Sequence, residues 1–168
     1  MIAAEENRIP TTTRPPARDW IAKYTIDKIN RLEPNEKTAH LWLAVVYLDK
    51  KMYEQAIREA QRSLVLSPCF RTKGILGYAY GVSGRIEDAT KILDEMLQAS
   101  MTQYVSYQDL AFVYTGLGKY EEALDLLEKA HNERSEILPY ILNGNWFAPL
   151  RSFEASFNGR WPCSPRTL

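Results

Sequence analysis

Two histidines, two cysteines and one acidic run are the side chains of this 168-residue chain whose types could support chemistry beyond packing. His40 and His131 are far apart in sequence. An isolated imidazole works as a base or ligand only when a carboxylate orients it beside a polar opening. His40 falls on a packing position of the repeat described below. His131 ends a helical stretch, where the dipole favours a cation. Cys69 follows Pro68, and Cys163 lies in the tail segment WPCSPRTL. Neither belongs to a CxxC pair or neighbours a histidine, so zinc and dithiol chemistry find no support. Glu121, Glu122, Asp125 and Glu128 are spaced to share one helix face. That pattern suits either a divalent cation or solvent, and charge runs mostly end up solvated. Gly77, Gly81 and Gly84 form neither GxGxxG nor a Walker loop. The expectation is no catalytic residue, no metal, no cofactor and no enzyme activity.

Lys plus Arg total 21 and Asp plus Glu total 21, for a formal charge of zero. A polyanion binder advertises itself by excess Lys and Arg, so no nucleic-acid partner is expected. Charge is uneven, however: residues 102–147 hold three basic against seven acidic side chains. A 45% hydrophobic share and 11% aromatics are enough for a core. No run approaches ~18 apolar residues, so no membrane partner is expected. The stretch MIAAEENRIPTTTRPP reads as no signal peptide, and two cysteines suit a reducing compartment. A cytoplasmic location follows as the expectation.

The elements that position these residues repeat. Ala22, Ala56, Ala89 and Ala123 recur every 33 or 34 residues, each followed four residues later by an aliphatic or small side chain. Tyr47, Tyr80 and Tyr114 each stand nine residues ahead of an alanine, and Pro34 and Pro68 keep the same period. Three residue classes locked to one period make a repeat architecture. Each unit reads as two helices. In HLWLAVVYLDKK apolar residues populate two faces, as in a helix sandwiched between neighbours. MYEQAIREAQRSLVLSP supplies a second helix that Pro68 stops. The following units turn at Ser83-Gly84 and at Gly118, where a helix end needs the positive φ that glycine reaches cheaply. Ala56, Ala89 and Ala123 open the second helices where the partner helix crosses, and the tyrosines supply the large partners. The expected division is a flexible segment 1–17, a half repeat 18–36, repeats 37–69, 70–103 and 104–135, and a capping segment 136–168.

At these residues the chain resembles the tetratricopeptide repeat family, whose pattern is W-x2-L-G-x2-Y…A-x3-F…P. Leu76, Gly77, Tyr80 and Ala89 meet it in the middle unit. Leu43, Ala44, Tyr47, Ala56 and Pro68 meet it in the first, and Leu110, Ala111, Tyr114 and Ala123 in the third. His40, Lys73 and Tyr107 replace the leading tryptophan. Residues 19–34, with Ala22, resemble the second helix of an upstream unit. The C-terminal part, from YVSYQDLAFVYTGLGKYEEALDLLEKAHNERSE to FAPLRS, resembles the repeat module of bacterial winged-helix, cyclase or kinase-type regulators. Where that family continues with an acidic residue, proline, arginine and phenylalanine, this chain reads Phe153-Glu154-Ala155-Ser156-Phe157.

The resemblance implies an all-α, right-handed superhelix with C-terminal capping helices and a concave groove lined by the first helix of each unit. It implies a partner-binding groove at Leu41, Val45, Asp49, Arg71, Tyr78, Gln108 and Phe112. With Arg71 its lone cation, that groove suits an apolar peptide or partner helix rather than a carboxylate clamp. The implied function is protein–protein recognition. One occupant competes with a partner for that face. It is the chain's own tail, with Trp146, Phe147, Leu150, Phe153 and Phe157. The alternative function is self-association of a regulatory fragment, a homodimer through the half repeat with the groove filled by that tail.

Overall fold

The computed structural model describes residues 37–133 and 149–150. The half repeat at 18–36 and most of the capping segment lie outside the described residues. Six helices follow one another: α1 Lys37–Asp49, α2 Tyr53–Leu66, α3 Phe70–Val82, α4 Ile86–Ser100, α5 Tyr107–Gly116 and α6 Tyr120–Asn132. There is no strand among the described residues. The helices form three hairpins, α1–α2, α3–α4 and α5–α6, each packed on the next. The result is an all-α repeat superhelix.

The two helices of a pair bury themselves differently. In α2, α4 and α6 the buried residues are Ala56, Ile57, Ala60 and Ser63, then Ala89, Leu93 and Met96, then Ala123, Leu124, Leu127 and Ala130. Steps of three and four residues put each set on one stripe, and the charged residues take the other side. By contrast, every residue from Gly74 to Gly81 in α3 is buried, as are Gln108 to Val113 and Thr115 in α5. The first helices are the inner layer and the second helices the outer one. Ala56, Ala89 and Ala123 are each 0% exposed. A larger side chain at that crossing would overpack the pair.

The three hairpin turns use the same atoms in each unit. The amides of Met52, Arg85 and Lys119 donate to the carbonyls of Tyr47, Tyr80 and Tyr114 at 2.8, 2.9 and 2.9 Å. One residue earlier, the amides of Lys51, Gly84 and Gly118 donate to Leu48, Gly81 and Thr115. This double closure is the Schellman motif, which satisfies carbonyls left over at a helix end and requires positive φ between the two donors. Gly84 and Gly118 supply it at +84° and +74°, and in the first turn Lys51 does so at +58°.

Successive pairs are joined in two different ways. Between the second and third, α3 and α5 touch backbone to backbone. A Cβ on Gly81 would lie 2.3 Å from the Gly116 carbonyl, and one on Gly74 2.6 Å from that of Asp109. Gly77 faces the Val113 side chain across the same seam. Between the first and second pairs, α2 makes the junction with α3, while α1 barely reaches it.

Candidate functional site

The inner-layer positions do not present one uniform surface. Leu41, Val45 and Asp49 on α1 and Arg71 at the start of α3 are half-buried, and Trp42 is 53% exposed. Farther along, Tyr78, Gln108 and Phe112 are buried. The row is accessible at the first pair and closed at the third. Leu150, the described residue deepest in the C-terminal segment, is 0% exposed. It belongs to the same core cluster as Tyr78, Phe112, Leu124 and Leu127.

Tyr78 sits where several elements converge. Burial pushes its phenol above the ordinary tyrosine range, and nearby Tyr53, Tyr120 and Asp49 push it further. Its hydroxyl therefore stays protonated, a donor held among the starts of α2 and α6 and the end of α1. The repeat tyrosines have separate work. The Tyr80 hydroxyl accepts from Gln61 Nε2 at 2.9 Å, and the Arg85 guanidinium lies 4.6 Å above its ring. Lys119 stands over Tyr114 at 5.9 Å. These contacts tie the outer layer and the turns to the inner layer.

Arg71 is brought to Asp109, a residue that sequence reasoning overlooked. Nε of Arg71 lies 3.9 Å from Oδ1 of Asp109, too far for a hydrogen bond. That oxygen is buried and has no hydrogen-bond partner. Burial pushes the Asp109 carboxyl up to about 6, against the opposing pull of Arg71. A signal was present: the repeat places Asp109 in register with Trp42 and Ile75, so a carboxylate occupies an otherwise apolar slot.

His40 does meet a carboxylate. Its Nδ1 is 2.6 Å from Glu59 Oε2, and Arg62 donates to the other oxygen of Glu59 at 2.9 Å. An ionised carboxylate only accepts, so Nδ1 carries the proton in this contact. His40 is 7% exposed and bridges α1 to α2 inside the first pair. That is a packing arrangement at the position where the family pattern has tryptophan. His131 and the glutamates of α6 are exposed or half-buried on the outer layer. Among the described residues no three His, Cys, Asp or Glu side chains are grouped to hold a metal. No helix among them is long and apolar enough to cross a membrane.

Comparison with known proteins places two family matches on this geometry. The Tetratricopeptide repeat family matches residues 105–138, which begin with the third pair. The PPR repeat family matches residues 74–101, within the second pair. No curated protein and no solved structure matches the chain. Both matched families are built from stacked helical hairpins, and the matches fall on consecutive hairpins of one stack. The described residues form an all-α stack of helical hairpins, and its second and third pairs are similar to PPR and tetratricopeptide repeats respectively.

Proposed function

We propose that the chain is a non-catalytic protein-recognition module that binds an apolar peptide or partner helix on the inner layer of its stack. The observation that carries this reading is the half-open row Leu41, Val45, Asp49 and Arg71, beside an exposed Trp42. Aliphatic and indole surface gives a partner's apolar side chains something to cover. Arg71 and Asp49 flank that surface with one charge of each sign and orient the partner. The matched families support it, because stacked helical hairpins of these kinds act in protein–protein or protein–RNA recognition. Neutral overall charge and the scarcity of cations along this row favour protein over RNA.

A photo-reactive amino acid at position 45, in the native host, tests the reading. Mass spectrometry identifies the adduct, and titration with the purified partner then follows. The reading expects Val45→Asp and Leu41→Asp to weaken binding at least tenfold, with Val65→Asp on the outer layer without effect. Equal binding by all three variants overturns it, and a nucleic-acid adduct would move it to RNA.

A second reading is the self-associating regulatory fragment suggested by the C-terminal resemblance. What favours it is the buried Leu150, which puts part of the tail against the stack. Sedimentation of the full chain over a hundredfold concentration range decides it. A monomer throughout removes this reading.

A further inference from the structure

We infer that Arg71 and Asp109 form a proton-linked gate on the recognition row: Arg71 serves either its own Asp109 or a carboxylate of the partner. This deepens the proposed function, rests on it, and names the partner chemistry as an acidic side chain set among apolar ones.

The gate is built across the seam between α3 and α5. The Asp109 side chain is 7% exposed, and that of Arg71, the second residue of α3, is 35% exposed. A buried carboxylate ordinarily collects hydrogen bonds on its oxygens. Oδ1 of Asp109 has none, and Arg71 Nε stops 3.9 Å away. The acid cannot retreat to water, because the main chain that carries it is locked in the seam. A Cβ on Gly74 would lie 2.6 Å from the Asp109 carbonyl oxygen. Arg71, with its larger share of solvent, is the half that moves.

Two states follow. With Asp109 protonated, no opposing charge holds the guanidinium, and its planar fork grips a partner carboxylate through two parallel hydrogen bonds. With Asp109 ionised, Arg71 closes on it, and the charged acid repels a second carboxylate. The exchange falls below neutrality, because burial pushes the Asp109 carboxyl up to about 6 against the pull of Arg71. Among the described residues, no charged group of α4 or α6, which also pack on α5, adds to that balance. The Tyr104 phenol, in the connection before α5, also senses Asp109 and stays protonated across this range. An acidic partner therefore takes up a proton at Asp109 as it binds, and its affinity rises as pH falls toward about 5. The partner's own carboxylate remains ionised there, since free glutamate titrates at about 4.3.

The test titrates the full chain with two acetylated, amidated tetrapeptides. One has three leucines and a glutamate in third place, and the other has glutamine there. The Arg71 Nε–H signal is followed by NMR at about pH 5 and about pH 7.5, either side of the Asp109 titration. Circular dichroism is the fold control. The glutamate peptide should bind at least fivefold more tightly at the lower pH, and the glutamine peptide equally at both. Asp109→Asn should hold the glutamate peptide tightly at both pH values, and Arg71→Gln should no longer tell the two peptides apart. Without peptide, the signal should shift with a midpoint of about 6 in the wild type and stand still in Asp109→Asn. A pH-independent affinity in the wild type overturns the gate. So does a pH dependence that survives Asp109→Asn, or a glutamate peptide that binds at neither pH. The cross-linking at Val45 reads contact at a single pH, so each of these results fells the gate and leaves the proposed function standing.

Discussion

Lys51 is the residue at which the repeat is locally imperfect. Its φ of +58° lies in the left-handed region that Gly84 and Gly118 occupy at +84° and +74° in the other two turns. A side chain in that region is strained by roughly 1 kcal/mol. Lys51→Gly should therefore raise stability by about 0.5–1 kcal/mol, seen as a higher denaturant midpoint with unchanged slope. Asp109 is the second strained residue. Its carboxyl holds its proton up to about 6 in the folded chain, above the ordinary 3.8. Folding thus favours the protonated form. The charged group that faces it is Arg71, from α3. Stability should fall as pH rises from about 4 through 6, with a loss on the order of 1–3 kcal/mol. Asp109→Asn should flatten the melting temperature across that window and raise it at pH 7. A curve with the wild-type slope would refute the assignment. Neither strain was read from single residues. Lys50-Lys51 reads as a polar turn, and Asp109 falls in no motif. Only lining up the three units shows a lysine where glycine recurs and an acid where Trp42 and Ile75 stand.

At the scale of elements, the helices and their turns were legible because each leaves a period in the sequence. Alanines at the crossings, tyrosines ahead of them and glycines at two of the turns were placed from spacing alone. The join between hairpins was not legible. Gly74, Gly77, Gly81 and Gly116 allow α3 and α5 to touch, but nothing in a one-dimensional pattern says which neighbour a glycine faces. Two glycines three residues apart now separate cleanly by cause. A Cβ at Gly81 meets backbone atoms of Gly116 at 2.3 Å, whereas one at Gly84 meets nothing within 4 Å. Gly81→Ala should cost about 3 kcal/mol by forcing the seam apart. Gly84→Ala should cost only about 1 kcal/mol, from its backbone conformation. Urea unfolding of both variants checks the order, and equal losses would mean that the seam yields.

For the whole molecule, the sequence indicated a stack with an inner recognition face, but not how far that face stays open. Tyr78 and Phe112 read as groove residues because the repeat register puts them there. They are buried among the neighbouring helices, in one core cluster with Leu150, and contacts between distant residues leave no mark on a 34-residue period. Leu41, Val45 and Arg71 keep their access because they lie at the other end. The unequal joins carry a mechanical consequence. Where α3 and α5 lock main chain to main chain, a tug along the axis meets a stiff link. Where α2 makes most of the junction with α3, it meets a compliant one. Held by its two ends in an optical trap, the chain should yield first between residues 66 and 70, with the later pairs giving way together at higher force. Over the described residues the stack is a spring with one soft coil, and that coil adjoins the half-open row of Leu41, Val45 and Arg71.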